Sequence, residues 1–219
     1  MKELIKTCYN EEEAKHLFFV SDTHFGHENI IKFCNRPFKT TKEMDEALIK
    51  NWNDVIGPDD IVFHLGDFAF GGSQLWNDTL QRLNGHKILI IGNHDMKNLR
   101  QGYMRWFDAV LPQAQLQIDN RAVYLNHYPF LCYGGSYRGE KGAVYQLFGH
   151  VHSGPNSTGL DSDRLKHCFP YQYDVGVDNN DFTPVSWEKI KEIISKKAET
   201  YEKLKEDKSH TIPDEVYKQ

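Results

Sequence analysis

The chain has 219 residues, enough to bury a core without staples and of a size for one domain. Its formal net charge of −5, with 26 Lys and Arg against 31 Asp and Glu, gives no general field for holding a polyanion, so extended nucleic acid is not an expected partner. Cys8, Cys34, Cys132 and Cys168 form no CxxC pair, which speaks against a disulfide framework or a thiolate zinc site. The opening "MKELIKTCYNEEEAKH" has no apolar leader pattern and no stretch nears the roughly 18 apolar residues of a membrane span, so a soluble cytoplasmic protein is expected.

In chain order, "LFFV" (17–20) predicts a first strand and is followed by "SDTHFGH" (21–27). Thr40 and Glu43 have capping-box spacing, and Met44, Ala47, Leu48, Trp52 and Val55 make one apolar helical stripe that "GPDD" ends. "IVFHL" (61–65) is a strand, a helix runs from about 73 to 83 with Trp76, Leu80 and Leu83 inward, and "KILII" (87–91) is a strand again. Further strands are "AVYLN" (122–126), "VYQLF" (144–148) and "YDVGV" (173–177), each bounded by turn residues. From Val185 onward, Trp187, Ile190, Ile194, Tyr201 and Leu204 describe an amphipathic helix that ends in a polar tail, together spanning about 185–219. Six strands with interspersed helices predict an α/β or α+β core in a single domain over 1–219.

One arrangement repeats through these elements. "LFFV" leads into Asp22, His24 and His27; "IVFHL" into Gly66 and Asp67; "KILII" into Gly92, Asn93, His94 and Asp95; "VYLN" into His127; "VYQLF" into Gly149, His150 and His152. Ligands gather outside the carboxyl ends of strands in open α/β sheets, so these side chains are expected to converge although they lie some 130 residues apart in sequence. Two carboxylates, several imidazoles and an amide, without a thiolate, suit Mn, Fe, Co, Ni or Zn, and the set exceeds what one ion needs. A carboxylate can bridge two ions, the usual device for displacement at phosphorus. Gly66, Gly92 and Gly149 would give the strand ends room beneath such ions.

"DTH" at 22–24, "GD" at 66–67, "GNHD" at 92–95, His127 and "GHVH" at 149–152 resemble the five ordered blocks of the calcineurin-like metallophosphoesterase superfamily, and "DTHFGHENIIKFCNRPF" is similar to its compact prokaryotic and phage-type members. The resemblance covers about residues 16–180; residues 1–15 and the tail after about 205 fall outside it. It implies a four-layer αββα sandwich, two facing mixed sheets flanked by helices, and a two-metal hydrolase with manganese as the first choice of ion. Asp22, His24, Asp67 and His152 would hold one metal, and Asp67, Asn93, His127 and His150 the other, with Asp67 as the bridge. A hydroxide shared by the metals would attack phosphorus, His94 would stabilise charge or protonate the leaving oxygen, and Asp95 would orient the His94 ring. Asp95 reads nearly as well as an N-cap for the following helix.

His27 reads equally as a substrate contact and as a turn histidine bonded to backbone, and His64, inside an apolar run, as a satisfied core residue or a support for the ligands. Polar inserts at 34–39, 132–142 and 153–172 offer Arg36, Arg138 and Arg164 as phosphate clamps, Arg36 foremost, and Tyr133 or Tyr137 as a base-stacking surface. The leading expectation is a phosphoesterase acting on a small phosphodiester or nucleotide. A nuclease on a polynucleotide and an idle protein-binding scaffold of the same fold are the alternatives; the acidic balance argues against the first, and the complete ligand set with His94 against the second.

Overall fold

The structure is a computed structural model that describes residues 6–138, 142–156, 165 and 167–206. In chain order it contains β1 (Cys8–Tyr9), α1 (Glu11–Ala14), β2 (Leu17–Val20), α2 (Glu28–Phe33), α3 (Thr41–Val55), β3 (Ile61–His64), α4 (Ser73–Arg82), β4 (His86–Ile90) and α5 (Met96–Leu99). These are followed by β5 (Ala109–Leu111), β6 (Ala114–Ile118), β7 (Arg121–Leu125), β8 (Tyr145–Phe148), β9 (Gln172–Asp174), β10 (Val185–Ser186) and α6 (Trp187–Glu206). One sheet has the order β10-β2-β3-β4-β5, parallel except for β10; the other is β1-β6-β7-β8-β9, parallel except for the β6–β7 hairpin. Asp119 and Asn120, at φ 47° and 60°, close that hairpin in the left-handed conformation that its two-residue turn requires.

The near-continuous apolar runs of β2, β3 and β4 arise because their sheet is buried on both faces. Phe19, Phe63, Ile88 and Ile90 point between the sheets to meet Leu116, Val123, Leu125, Leu147 and Tyr173, whereas Val20, Val62 and Leu89 point outward under Met44, Leu48, Trp52, Trp76 and Leu80 of α3 and α4. Each such side chain contributes about 1.5–3 kcal/mol by leaving water. Helix α6 joins both sheets through Trp187, whose ring lies 6.2 Å from Phe19 and 5.8 Å from Tyr145. The two sheets also meet directly at a parallel bridge between Ser21 and Gly176, just past the ends of β2 and β9.

The two mixed sheets flanked by helices match the expected α/β architecture. Thr40 caps α3, accepting from the Glu43 N–H at 3.1 Å, but the Glu43 carboxylate accepts from the Lys39 N–H instead of closing the box on Thr40. The apolar stripe of α3 also drifts: Val55 is exposed, and Ile49 and Ile56 are buried in its place. Val185 belongs to β10 and not to the last helix, where Trp187, Ile190, Ile194 and Ala198 face the core. The Leu204 side chain and the polar tail lie outside the described residues. Among the described residues no helix is long and apolar enough to cross a membrane.

Candidate metal centre

The loops after β2 and β3 continue to pair once the strands have ended. Asp22 N donates to Gly66 O, His24 N to Asp67 O and Phe25 N to Phe68 O, each at 3.0 Å. This pairing holds an unfavourable backbone: Asp22, His24, Asp67, His150 and His152 all have positive φ, between 48° and 72°. Such a conformation costs roughly 1–2 kcal/mol per residue for most side chains, and it turns successive side chains toward one point above the sheet ends. Close approach also dictates glycine. A Cβ on Gly66 would lie 2.6 Å from Gly92 N and 2.7 Å from His127 Nδ1, and one on Gly149 would overlap Ser21 Oγ and Asp22 Oδ2.

Asp67 stands at the centre. Its Oδ1 accepts from the His94 N–H at 2.9 Å, while Oδ2 lies 3.5 Å from His127 Nε2, 3.6 Å from His24 Nε2 and 4.0 Å from His94 Nε2. Asp22 Oδ2 accepts from the His150 N–H at 2.8 Å; its Oδ1 is 3.8 Å from His152 Nε2 and 3.9 Å from His24 Nε2. Asp22, His24 and His152 thus form one group of donor atoms, and Asp67, His127 and His150 a second. Asn93 joins the second group, its Oδ1 lying 2.9 Å from His127 Nε2. Oxygen and nitrogen ligands held about 2.0–2.2 Å from one ion stand roughly 3–3.5 Å apart, so small inward movements would complete either shell.

The donor chemistry fits cations. Asp22 Oδ1 and both ring nitrogens of His24 are buried without a hydrogen-bond partner, which an isolated core does not tolerate. His127 Nδ1 donates to Leu65 O at 2.8 Å and His152 Nδ1 to Asp178 Oδ2 at 2.7 Å, which in each case aims Nε2 at a carboxylate. Burial opposes charging His127, yet its bond to Asp67 and the nearby Asp22 outweigh this and lift it to about 9. His152 is likewise raised, burial being overcome by Asp22 and Asp178. His24 is driven well down, first by burial and then by the neighbouring His152 and Arg36. Positive charge is therefore favoured at His127 and His152, where divalent ions would replace those protons, while His24 is kept as a neutral imidazole, the form that binds a metal.

Two sequence expectations change. Arg36 does not face the site cavity: its side chain is fully buried, with Nε and Nη2 on the Asp178 carboxylate at 2.8 and 2.9 Å, Nη2 also on Asp22 O, and Nη1 on Thr23 O and Met44 Sδ. With all five N–H groups engaged, it braces the first ligand loop and is no phosphate clamp. Asp95 stands at the N-cap position of α5, as the sequence allows, but its carboxylate makes no capping bond and does not hold the His94 ring. Its carboxylate accepts from the backbone N–H groups of Asp67, Phe68 and Gly92 at 2.8–2.9 Å, tying the ends of β3 and β4 together. Burial, and then the Asp67 charge, push its pKa up to about 6 against those three donors.

His94 and His27 line a cavity of about 750 Å³ beside the candidate metal-binding groups, together with Ile30, Phe33 and Phe70. The His27 ring lies parallel to Phe70 at 4.1 Å and makes no capping bond to α2. His64 is buried and doubly bonded, with Gly66 N–H on Nδ1 at 3.2 Å and Nε2–H on Thr23 Oγ1 at 2.9 Å, and it stiffens both loops. Tyr133 is half-buried with its hydroxyl on Val144 O, so it offers no stacking surface; Tyr137 and Arg138 are exposed outside the cavity lining, and Arg164 lies outside the described residues. Sequence reasoning missed Asp178, although "YDVGV" followed by an acid repeats the strand-end pattern. It also missed Tyr128, whose ring meets His150 edge-on at 4.7 Å.

Two mixed sheets with acidic and imidazole side chains gathered at strand carboxyl ends define an α/β protein with a candidate metal centre. The chain belongs to the calcineurin-like phosphoesterase family, whose sequence model matches residues 15–178. It is 48% identical over 81 residues to the uncharacterized protein MJ1445 of Methanocaldococcus jannaschii, a match covering 36% of this chain and only 46% of that protein. Similarity to the gene 66 protein of Mycobacterium phage D29 is 26% identity over 205 residues, covering 82% of this chain and 96% of the phage protein. Among solved structures, the Aquifex aeolicus protein AQ665, of unknown function, superposes with a TM-score of 0.61 at 26% identity, covering 81% of this chain and 98% of that one. The family is one of phosphoesterases that typically use divalent metals, and the described residues include His and Asp groups able to hold such ions.

Proposed function

We propose that the protein hydrolyses a small phosphodiester or nucleotide at a dinuclear centre in which Asp67 is shared. The observation that carries this reading is the Asp67 carboxylate, with Oδ2 within 3.5–4.0 Å of imidazole nitrogens from three separate loops. Asp22, His24, Asp67 and His152 would hold one ion and Asp67, Asn93, His127 and His150 the other, with manganese preferred. When bound, the ions would neutralise charge on the phosphoryl oxygens and acidify water enough to supply a nucleophile near neutral pH.

The remaining work falls to the chain. His94 is fixed through its backbone N–H to Asp67 Oδ1, and its ring, 43% exposed, faces the cavity between His24 and Phe70 at centroid separations of 5.6 and 5.3 Å. It is placed to meet a phosphoryl oxygen or to hand a proton to the leaving oxygen. Asp178 fixes the His152 tautomer, and Arg36 fixes Asp178 and the Asp22–Thr23 backbone. Phe70 and His27 form a wall that limits water around the ester.

The test is a turnover screen of manganese-loaded protein against monoesters and diesters, paired with metal analysis. Two ions per chain and hydrolysis abolished by chelation are expected, with Asp67→Asn weakening both sites and His127→Ala depleting mainly one. Full activity after verified metal loss, or at most one ion in active protein, would overturn the reading.

A further inference from the structure

A second cavity, of about 500 Å³, opens beside the first, and His150 and Val151 line both. Its other walls are Tyr128, Phe130, Leu131 and His167. Its volume falls within the roughly 300–1,000 Å³ of small-molecule sites. Tyr128 ties it to the metal centre, with its ring 5.0 Å from that of His127 and 4.7 Å from that of His150, and its hydroxyl 3.5 Å from Asn93 Oδ1.

The walls of this recess are held by two fully buried glutamines. Gln146 of β8 donates to Tyr128 O at 2.9 Å and accepts from Phe130 N at 3.0 Å; Gln172 of β9 donates to Phe130 O at 2.8 Å and to the Gln146 carbonyl, and accepts from Phe169 N. Buried amides are costly unless satisfied, and here they clip the 128–130 loop and the facing 169 segment to the sheet beneath. The shape of the recess is thus fixed before any ligand arrives.

Apolar surface is also concentrated at this mouth. Of the eight exposed large hydrophobic residues described, Phe33 and Phe70 line the first cavity and Tyr128 and Leu131 the second, with Leu131 76% exposed. Exposed apolar side chains gathered round one site mark ligand contact. The metal centre therefore stands between two aromatic-walled recesses, one on the His27–Phe70 side and one on the Tyr128–Leu131 side.

We infer that the second recess receives a nucleobase, so that the substrate is a small phosphodiester with a nucleoside on one side of phosphorus and a second organic group on the other. The inference rests on the phosphoesterase reading above. A monoester would leave one recess unfilled. Stacking on Tyr128 and Phe130 against Leu131 tolerates any base, because every base has a π-face.

Two p-nitrophenyl diesters that share a leaving group and differ in the other substituent, methyl or uridine 5′-yl, test it on the manganese-loaded protein. The uridine ester is expected to have a kcat/KM roughly tenfold or more above the methyl ester, the size of one stacked base. Leu131→Asp, an exposed position, and Phe130→Ala should remove most of that advantage, read as a fall in the ratio of the two esters' kcat/KM. An independent readout is the methyl resonance of selectively labelled Leu131 in metal-free protein, expected to shift with uridine 5′-monophosphate and not with ribose 5-phosphate. Equal kcat/KM for the two esters, or a Leu131 signal blind to the base, overturns the recess assignment. Hydrolysis of neither ester overturns the phosphodiester reading instead, and the Leu131 shift then judges the recess alone.

Discussion

Replacing Arg36 with Met removes a guanidinium whose side chain has no exposed surface and leaves the Asp178 carboxylate, 3% exposed, with His152 as its remaining charged partner. Breaking a buried ion pair from one side costs about 3–5 kcal/mol, because the surviving charge is desolvated without compensation. The carbonyl oxygens of Asp22 and Thr23 lose a donor as well, so the upper half of that range is expected. For a domain of this size, each kcal/mol moves the melting temperature by roughly 2–4 °C, which gives a fall of about 8–20 °C. The assay is urea unfolding of metal-free protein, read as a lower midpoint at unchanged slope. Adding Asp178→Leu to Arg36→Met should restore part of the loss, since the pair is then removed from both sides. A phosphate clamp behaves oppositely: stability would hold and KM would rise. A loss below about 1 kcal/mol with a raised KM would refute the bracing role.

Asp95→Ala is expected to weaken metal binding by roughly 10- to 100-fold in a calorimetric titration, because the Asp67 and Gly92 backbones lose their common acceptor; intact affinity with lost turnover would return Asp95 to a role at His94. His94→Ala should leave metal content unchanged while turnover falls by about 10²- to 10⁴-fold, less for nitrophenyl esters than for alkyl esters if proton donation dominates; unchanged turnover on every ester removes it from the mechanism. Asp174 is fully buried, and burial raises its pKa to about 6, above the unfolded value, so its contribution to stability is present at low pH and lost as pH rises through about 6. Asp174→Asn should therefore gain on the parent protein by up to about 3 kcal/mol between about pH 4 and about pH 7.5 in urea unfolding, and a gap independent of pH contradicts the shift.

Six strands were legible because buried parallel strands are short apolar runs closed by Gly, Asp or Asn. β6 escaped although its alternation, with Leu116 and Ile118 inward and Gln115 and Gln117 outward, is a strand signal; β1 and β10, of two residues each, carry no periodicity at all. On α3 the sequence does not separate Ile49 from Val55, since both are apolar; only packing against β3 and α4 buries the first and leaves the second exposed.

The candidate metal-ligating side chains are readable for a physical reason: a chemical type repeated after each strand is a local pattern, and sheet topology alone then brings strand ends together. The partner of a buried charge is not a local property. Arg36 sits next to the first motif and reads as a substrate contact, but Asp178, 142 residues further along, reaches it only when β9 docks beside β8 and its end meets Ser21. Asp95 has the spacing of a cap and lies beside His94, yet three backbone N–H groups from two strand ends claim its carboxylate once β3 and β4 are paired. Which side chains are candidates for the chemistry is legible without the fold, because their identities and order are covalent. Tertiary structure decided which of the charged neighbours face the cavity and which are consumed in holding the loops, because a buried charge or amide takes whatever partner the fold places within hydrogen-bond reach.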